Sequence, residues 1–416
     1  MSKPDELNIQ IPIISNVVAN NENLESGTNT GSGSDTDYTF TSWDTLDISG
    51  EILRGIYAYG FEKPSPIQCK AILPIIKKRD IIAQAQSGTG KTATFSLGAL
   101  ARVNVNENCN QILIMSPTHE LTTQITGVIK SLGSMITGLR IKTVIGGSSI
   151  DDDVDEMHKT PPHIIVGTPG RVYDMIRRRH ISAKKLKLVI LDEADEMLSS
   201  GFKDQVYNIF QFLSKDVQIA LFSATLPNEI IPLTEKFMRN PIRISVAAEQ
   251  LTLEGIKQYY VALDDDRQKY DTLKDLYNSV TMTQCIIYCN SKERVQDLYE
   301  AMKQDEFPVC CIHSNMDKHE RNKSFVDFRS GNARVLISSN VTARGIDIQQ
   351  VSVVINFDIP RNKHTYIHRI GRSGRWGRKG IGINFVTRKD SINMREIEDF
   401  YHCQIDELPA NFRQML

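Results

Sequence analysis

The stretch from Ala85 to Thr92 reads Ala-Gln-Ser-Gly-Thr-Gly-Lys-Thr, a set of residue types suited to holding a polyphosphate. Gly88 and Gly90 permit a tight turn, so that backbone N–H groups from Ser87 to Thr92, Thr89 among them, can face phosphate oxygens. Lys91 is placed to reach β- and γ-phosphates, and Thr92 to offer its hydroxyl to Mg²⁺. The usual pattern opens with Gly, and Ala85 stands there instead. Further along, Asp192 and Glu193 follow four apolar residues. The first acid at such a strand end suits a Mg²⁺ ligand, directly or through water. The second suits a general base that polarises an attacking water. Each signal alone has a plain alternative, a surface loop with a chance Lys-Thr or an acidic loop tip. Together they point to metal-assisted nucleotide hydrolysis.

Two further groups invite chemistry. In Gly60-Phe61-Glu62-Lys63-Pro64-Ser65-Pro66-Ile67-Gln68 the prolines stiffen a loop. The Gln68 amide both donates and accepts, matching the N6/N7 edge of adenine, and Phe61 can stack on that ring. A core Phe61 and a surface Gln68 read equally well from this stretch. Arg369, Arg372, Arg375 and Arg378 form a cluster far from the phosphate loop. On a loop they would serve as a basic patch for RNA, or they complete a nucleotide site when two domains close.

These residues need a scaffold that gathers them. Apolar runs precede nearly every polar motif: Asp80 to Ala83, Ile112 to Met115, Ile141 to Ile145, Ile164 to Val166, Leu188 to Leu191 and Ile219 to Phe222. Helical segments lie between them. That alternation predicts a parallel sheet covered on both faces, with ligands at the strands' C-terminal ends. After a linker at 247–255, a second series predicts strands near Ile256 to Val261, Cys285 to Tyr288, Val309 to Ile312, Val335 to Ile337, Val353 to Ile355 and Gly380 to Val386. The expected organisation is a disordered tail over 1–37, an α/β domain over 38–246, the linker, and a second α/β domain over 256–416.

Composition bounds the rest. The chain has 416 residues, 40% hydrophobic, with a net charge of −1. A nucleic-acid ligand would therefore be held by local basic patches. No apolar run is long enough to cross a bilayer, and the N-terminus shows no signal-peptide pattern. The seven cysteines lack zinc spacing and read as buried free thiols in a reducing compartment.

Asp192-Glu193-Ala194-Asp195 spells the name of the DEAD-box RNA helicases, and the chain resembles that family from about Phe40 onward, in the family's motif order. The resemblance takes in Gly60 to Gln68, Ala85 to Thr92, Pro117 to Leu121, Gly146-Gly147, Thr168 to Arg171, Ser223 to Thr225, Ala343 to Asp347 and His368 to Arg375. Leu53 to Ser65 looks like the subgroup of eukaryotic translation initiation factor four-A and its nuclear relatives.

The resemblance implies two tandem RecA-like domains with ATP and Mg²⁺ as cofactors. Phe61 and Gln68 would read adenine. Lys91, Thr92, Asp192 and Glu193 would bind and hydrolyse MgATP. Asp347 would contact the ribose, while Arg372 and Arg375 act as arginine fingers. Ser223 and Thr225 would couple the ATP and RNA sites. Thr118, His119, Gly147, Thr168, Arg171 and Arg321 would face RNA. It further implies RNA-stimulated ATP hydrolysis with domain closure, clamping of single strands and separation of short duplexes, with little sequence preference. The implied setting is a monomer in the cytoplasm or nucleus, with scaffold or activator proteins and no membrane. An ATP-gated RNA clamp and a DNA helicase are the rival readings. The chain departs from the family pattern at His119, where Arg is usual, at His313-Ser314-Asn315-Met316 for His-Gly-Asp-Met, at Lys318 for Gln, and at Ser339-Asn340 for Thr-Asp.

Overall fold

In the computed structural model, the described residues are 38–85, 88–147, 150–198, 201–226, 231–246, 256–279, 284–342, 351–373, 380–409 and 412. The expected tail, the 247–255 linker, Ser87, Arg344, Asp347, Arg375 and Arg378 lie outside them.

Seven parallel strands build the first sheet: β1 (Ile81–Gln84), β2 (Ile112–Met115), β3 (Ile141–Val144), β4 (Ile164–Gly167), β5 (Leu188–Asp192), β6 (Gln218–Ser223) and β7 (Ile242–Ser245). Their order is β3-β4-β2-β5-β6-β1-β7. Successive side chains of a strand point to opposite faces, and here each face has its own core. Ile112 and Ile114 enter one with Phe95, while Leu113 and Met115 enter the other with Val172 and Met197. This explains why β2 and β4 are buried throughout and read as unbroken apolar runs.

The second sheet repeats the plan with β8 (Ile256–Leu263), β9 (Cys285–Tyr288), β10 (Val309–Ile312), β11 (Val335–Ser338), β12 (Val353–Asn356), β13 (Gly380–Thr387) and β14 (Asp406–Glu407). All pairings are parallel, in the order β10-β11-β9-β12-β13-β8-β14. The two parallel sheets flanked by helices are the RecA-like pair the resemblance implies. β7 and β14 are absent from the strands the sequence predicts. Both lie at sheet edges, where β7 buries only Ile244 well and β14 is exposed, so neither carries a continuous apolar run. All seven cysteines are free thiols; Cys285, Cys289, Cys310 and Cys311 are buried as expected, while Cys69, Cys109 and Cys403 are only partly so.

Candidate functional site

Strand order decides which motifs meet. β5, β6 and β1 are neighbours, so the loops after Asp192, Ser223 and Gln84 open side by side at one sheet edge. β3, β4 and β2 are neighbours too, which gathers the loops after Val144, Gly167 and Met115 beside them.

At the first cluster, the Ala85 amide donates to the Ser223 carbonyl at 3.0 Å, tying the phosphate loop to β6. Gly88 (φ 82°) and Gly90 (φ 101°) take left-handed conformations, and Gly90 caps the helix Lys91–Arg102. A Cβ on Gly90 would fall 2.9 Å from Gln68 Nε2 and 3.0 Å from Ser65 Oγ. The glycine thus admits Gln68 against the phosphate loop. Gln68 is buried, not on the surface, and its Oε1 accepts from the Ser65 amide at 2.6 Å at the start of the helix Pro66–Ile76. Phe61 is half-buried, stacked 6.2 Å from Trp43 and tilted 4.9 Å from Tyr59. Lys91 is buried and donates from Nζ to the Ala85 carbonyl at 2.7 Å.

The acidic loop is set for a cation. Glu193 takes a left-handed backbone (φ 52°, ψ 51°), uncommon for a residue with a side chain and characteristic of strained functional loops. Asp192 accepts from the Glu193 amide at 3.0 Å. Burial pushes the Asp192 carboxyl up to about 7, the neighbouring Glu193 charge pushes the same way, and Lys91 opposes both. Glu193 Oε2 is buried and without a hydrogen-bond partner among the described residues. Asp192, Glu193 and Asp195 are all buried, and the buried Lys91 charge acts on Asp192. With the Thr92 hydroxyl opening the neighbouring helix, this donor set fits a hard divalent cation such as Mg²⁺.

Asp195 joins the two sheets. Its amide donates to Ser223 Oγ at 3.3 Å, and its Oδ2 accepts from the Thr225 hydroxyl at 2.7 Å. His368 Nε2, on the helix Lys363–Ile370 of the second half, lies 3.2 Å from the same Oδ2, with both side chains buried. Arg372 follows that helix, buried, with Nε donating to the His368 carbonyl at 3.2 Å. Arg369 is not part of a loop-borne basic patch. It sits in the helix's last turn and is fully buried. In the sequence, Asp195 and His368 stand out only as members of motifs. Their pairing joins residues 173 positions apart, and no local pattern announces it.

At the second cluster, two helix N-termini point to one edge. Thr118 caps the helix His119–Leu132, accepting from the Leu121 amide at 3.3 Å. Thr168, buried, opens the helix Pro169–Arg177. Gly147 (φ 79°) makes the turn after β3. Arg171 Nε donates to the Ile145 carbonyl at 3.1 Å, and His119 Nε2 lies 3.4 Å from where a Gly146 Cβ would sit. Thr118, His119, Gly147, Thr168 and Arg171 therefore stand on neighbouring loops at one sheet edge. Helix N-termini and a glycine turn form a natural seat for phosphates. Arg321, on the helix Lys318–Ser330, pairs with Glu120 Oε1 at 3.0 Å, a partner the sequence reading did not anticipate. His313 is buried, with its pKa lowered by that burial, and its Nε2 lies 3.2 Å from Gln296 Oε1.

Comparison with known proteins places the chain in a family. Residues 65–232 match the DEAD/DEAH box helicase family, and residues 268–377 match the helicase conserved C-terminal domain. The ATP-dependent RNA helicase eIF4A of Lodderomyces elongisporus is 53% identical over 369 residues, which cover 89% of this chain and 92% of that protein. The ATP-dependent RNA helicase FAL1 of Mycosarcoma maydis is 50% identical, covering 90% and 94%. Among solved structures, S. cerevisiae Dbp5 bound to RNA and ADP BeF3 superposes with a TM-score of 0.83 at 37% identity, over 90% of this chain and 97% of that one.

Proposed function

The chain belongs to the DEAD-box family of ATP-dependent RNA helicases, and from that membership we propose how its two clusters divide the work. The loops after β1, β5 and β6 hold ATP, and the loops after β2, β3 and β4 hold the RNA backbone. Lys91 and the backbone amides of Gly88 to Thr92 take the phosphates, and Ser87 belongs to the same cradle. Thr92 and Asp192 are the groups that would hold Mg²⁺. When bound, Mg²⁺ neutralises charge that develops on the transferred phosphoryl group. Glu193, buried beside Asp192, accepts a proton from the attacking water. Arg372 and Arg375 supply fixed positive charge from the second half, and Asp347 holds the ribose. Phe61 and Gln68 select adenine.

The observation that carries this reading is Asp195 Oδ2, which accepts from Thr225 and also meets His368 across the two halves. One carboxylate oxygen thus senses the loop after β6 and the helix that presents Arg372. Closure of the halves, RNA clamping and local strand separation follow from stabilising that joined state with ATP and RNA together. The test is ATP turnover with and without RNA, in wild type and Glu193→Gln. The variant should bind ATP with nearly wild-type affinity and lose most turnover, since the water loses its acceptor while Asp192 remains. Wild-type ATPase that ignores RNA would favour an ATP-gated clamp. Equal stimulation by DNA of the same sequence would favour a DNA-acting enzyme.

A further inference from the structure

Arg369 is fully buried, yet every group among the described residues that hydrogen-bonds it is neutral. Its Nε donates to Asn340 Oδ1 at 2.9 Å, and one terminal nitrogen donates to the same oxygen at 2.6 Å and to Asn290 Oδ1 at 2.9 Å. The other terminal nitrogen donates to Asn356 Oδ1 at 3.2 Å and to the Asp358 carbonyl at 2.8 Å. Five N–H groups meet five acceptor contacts, which uses the whole guanidinium. The three asparagines stand at the C-terminal ends of β9, β11 and β12, neighbouring strands of the second sheet. Two of them are fixed from behind. Asn356 donates its amide to Asn384 Oδ1 at 2.8 Å, and Asn290 donates to the Ile359 carbonyl at 2.8 Å. The Asp358 carboxylate is engaged elsewhere, by Lys269 at 3.1 Å and Arg294 at 2.9 Å.

We infer that Arg369 is a positioning residue seated in a socket of carboxamides, and that Asn340 sets how firmly this seat holds the helix Lys363–Ile370. That helix carries His368 to Asp195 and leads into Arg372. Its last turn has no other polar anchor of comparable size among the described residues. Asn340 accepts two of the five bonds through one oxygen and is itself exposed, so it is the position where the seat can be altered from outside. Because Asn340 offers no charge, the guanidinium carries the cost of leaving water with no hydrogen-bonded counter-ion among the described residues, and the Asp358 carboxylate offsets that cost only from a distance. Burial accordingly pulls its pKa down to about 10.

Two variants test this. Asn340→Leu keeps a similar volume and strands two guanidinium N–H groups. RNA-stimulated kcat should fall on the order of tenfold, with KM for ATP held within about twofold, because the loss appears only where the two halves work together. A folded Asn340→Leu protein with unchanged kcat overturns the inference. Asn340→Asp sets a carboxylate against a charge that is already desolvated, and decides the matter if the leucine variant does not fold. Its urea midpoint should exceed that of wild type. An equal or lower midpoint overturns the neutral-socket assignment. The kcat arm rests on the proposed ATPase cycle, whereas the urea arm does not, so failure of the cycle and failure of the socket are told apart.

Discussion

Asp192 holds its proton more tightly in the folded chain than a free carboxyl does, since burial removes water and Glu193 adds negative charge. The sign of the pH effect follows from linkage. Folding raises the pKa from 3.8 to about 7, so the proton's contribution to stability is fully present below the lower value. It is lost as pH rises through the upper one. Asp192→Asn removes the ionisable group and should escape that loss. In metal-free buffer the variant should therefore melt above wild type at about pH 8, with the gap closing as pH falls toward about 4. Thermal midpoints across that range check it, and a gap that does not change with pH would show that the Asp192 carboxyl is not raised. Under the proposed function, the like charge that costs stability here is what a divalent ion would compensate. Such a trade of stability for a poised site is common where catalysis concentrates like charges.

Among elements, the helices that begin at His119 and Pro169 are the ones the proposed function sets against RNA. Both start at strand ends, and both expose the positive end of a helix dipole toward the Gly146-Gly147 turn. His119 stands in the first helical position, beside that turn. An arginine there would reach phosphate oxygens with two parallel hydrogen bonds and a permanent charge. His119→Arg should tighten RNA binding and steepen its salt dependence by up to about 0.7 in log–log slope, the value for one more neutralised phosphate on a single strand. Filter binding over a salt series measures this, and identical slopes would remove His119 from the RNA surface. The central strands were legible in the sequence, because a doubly buried parallel strand writes an apolar run. Edge strands β7 and β14 were not, since half-buried edges need no such run. The phosphate loop and acidic loop were legible for the same local reason. The Asp195–His368 and Glu120–Arg321 contacts were not, because they depend on how two separately patterned halves meet.

At the scale of the molecule, those two contacts bracket the meeting of the halves. One lies by the ATP cluster and is buried. The other, Glu120–Arg321, lies by the RNA cluster with each side chain 16% exposed. A pair this sheltered is screened less than a surface pair, yet it is open enough for phosphate to compete for the arginine. Two roles for Arg321 then make different demands. If it works chiefly by pairing with Glu120, the charge pattern matters and the identity of each partner does not. Glu120→Arg and Arg321→Glu should each lower RNA-stimulated turnover, and the double exchange should restore a large part of it. If Arg321 works chiefly by holding RNA phosphate, Arg321→Glu should weaken RNA binding and the exchange should not recover it. We expect restoration, because the 3.0 Å geometry already commits Arg321 to Glu120 in the joined arrangement. A double-mutant cycle on kcat, with the distance between labels on the two halves followed by fluorescence transfer, measures the coupling directly. A coupling energy near zero, with the label distance unchanged in all three variants, would leave the RNA side of the joint without a latch and assign the joining of the halves to Asp195 and His368.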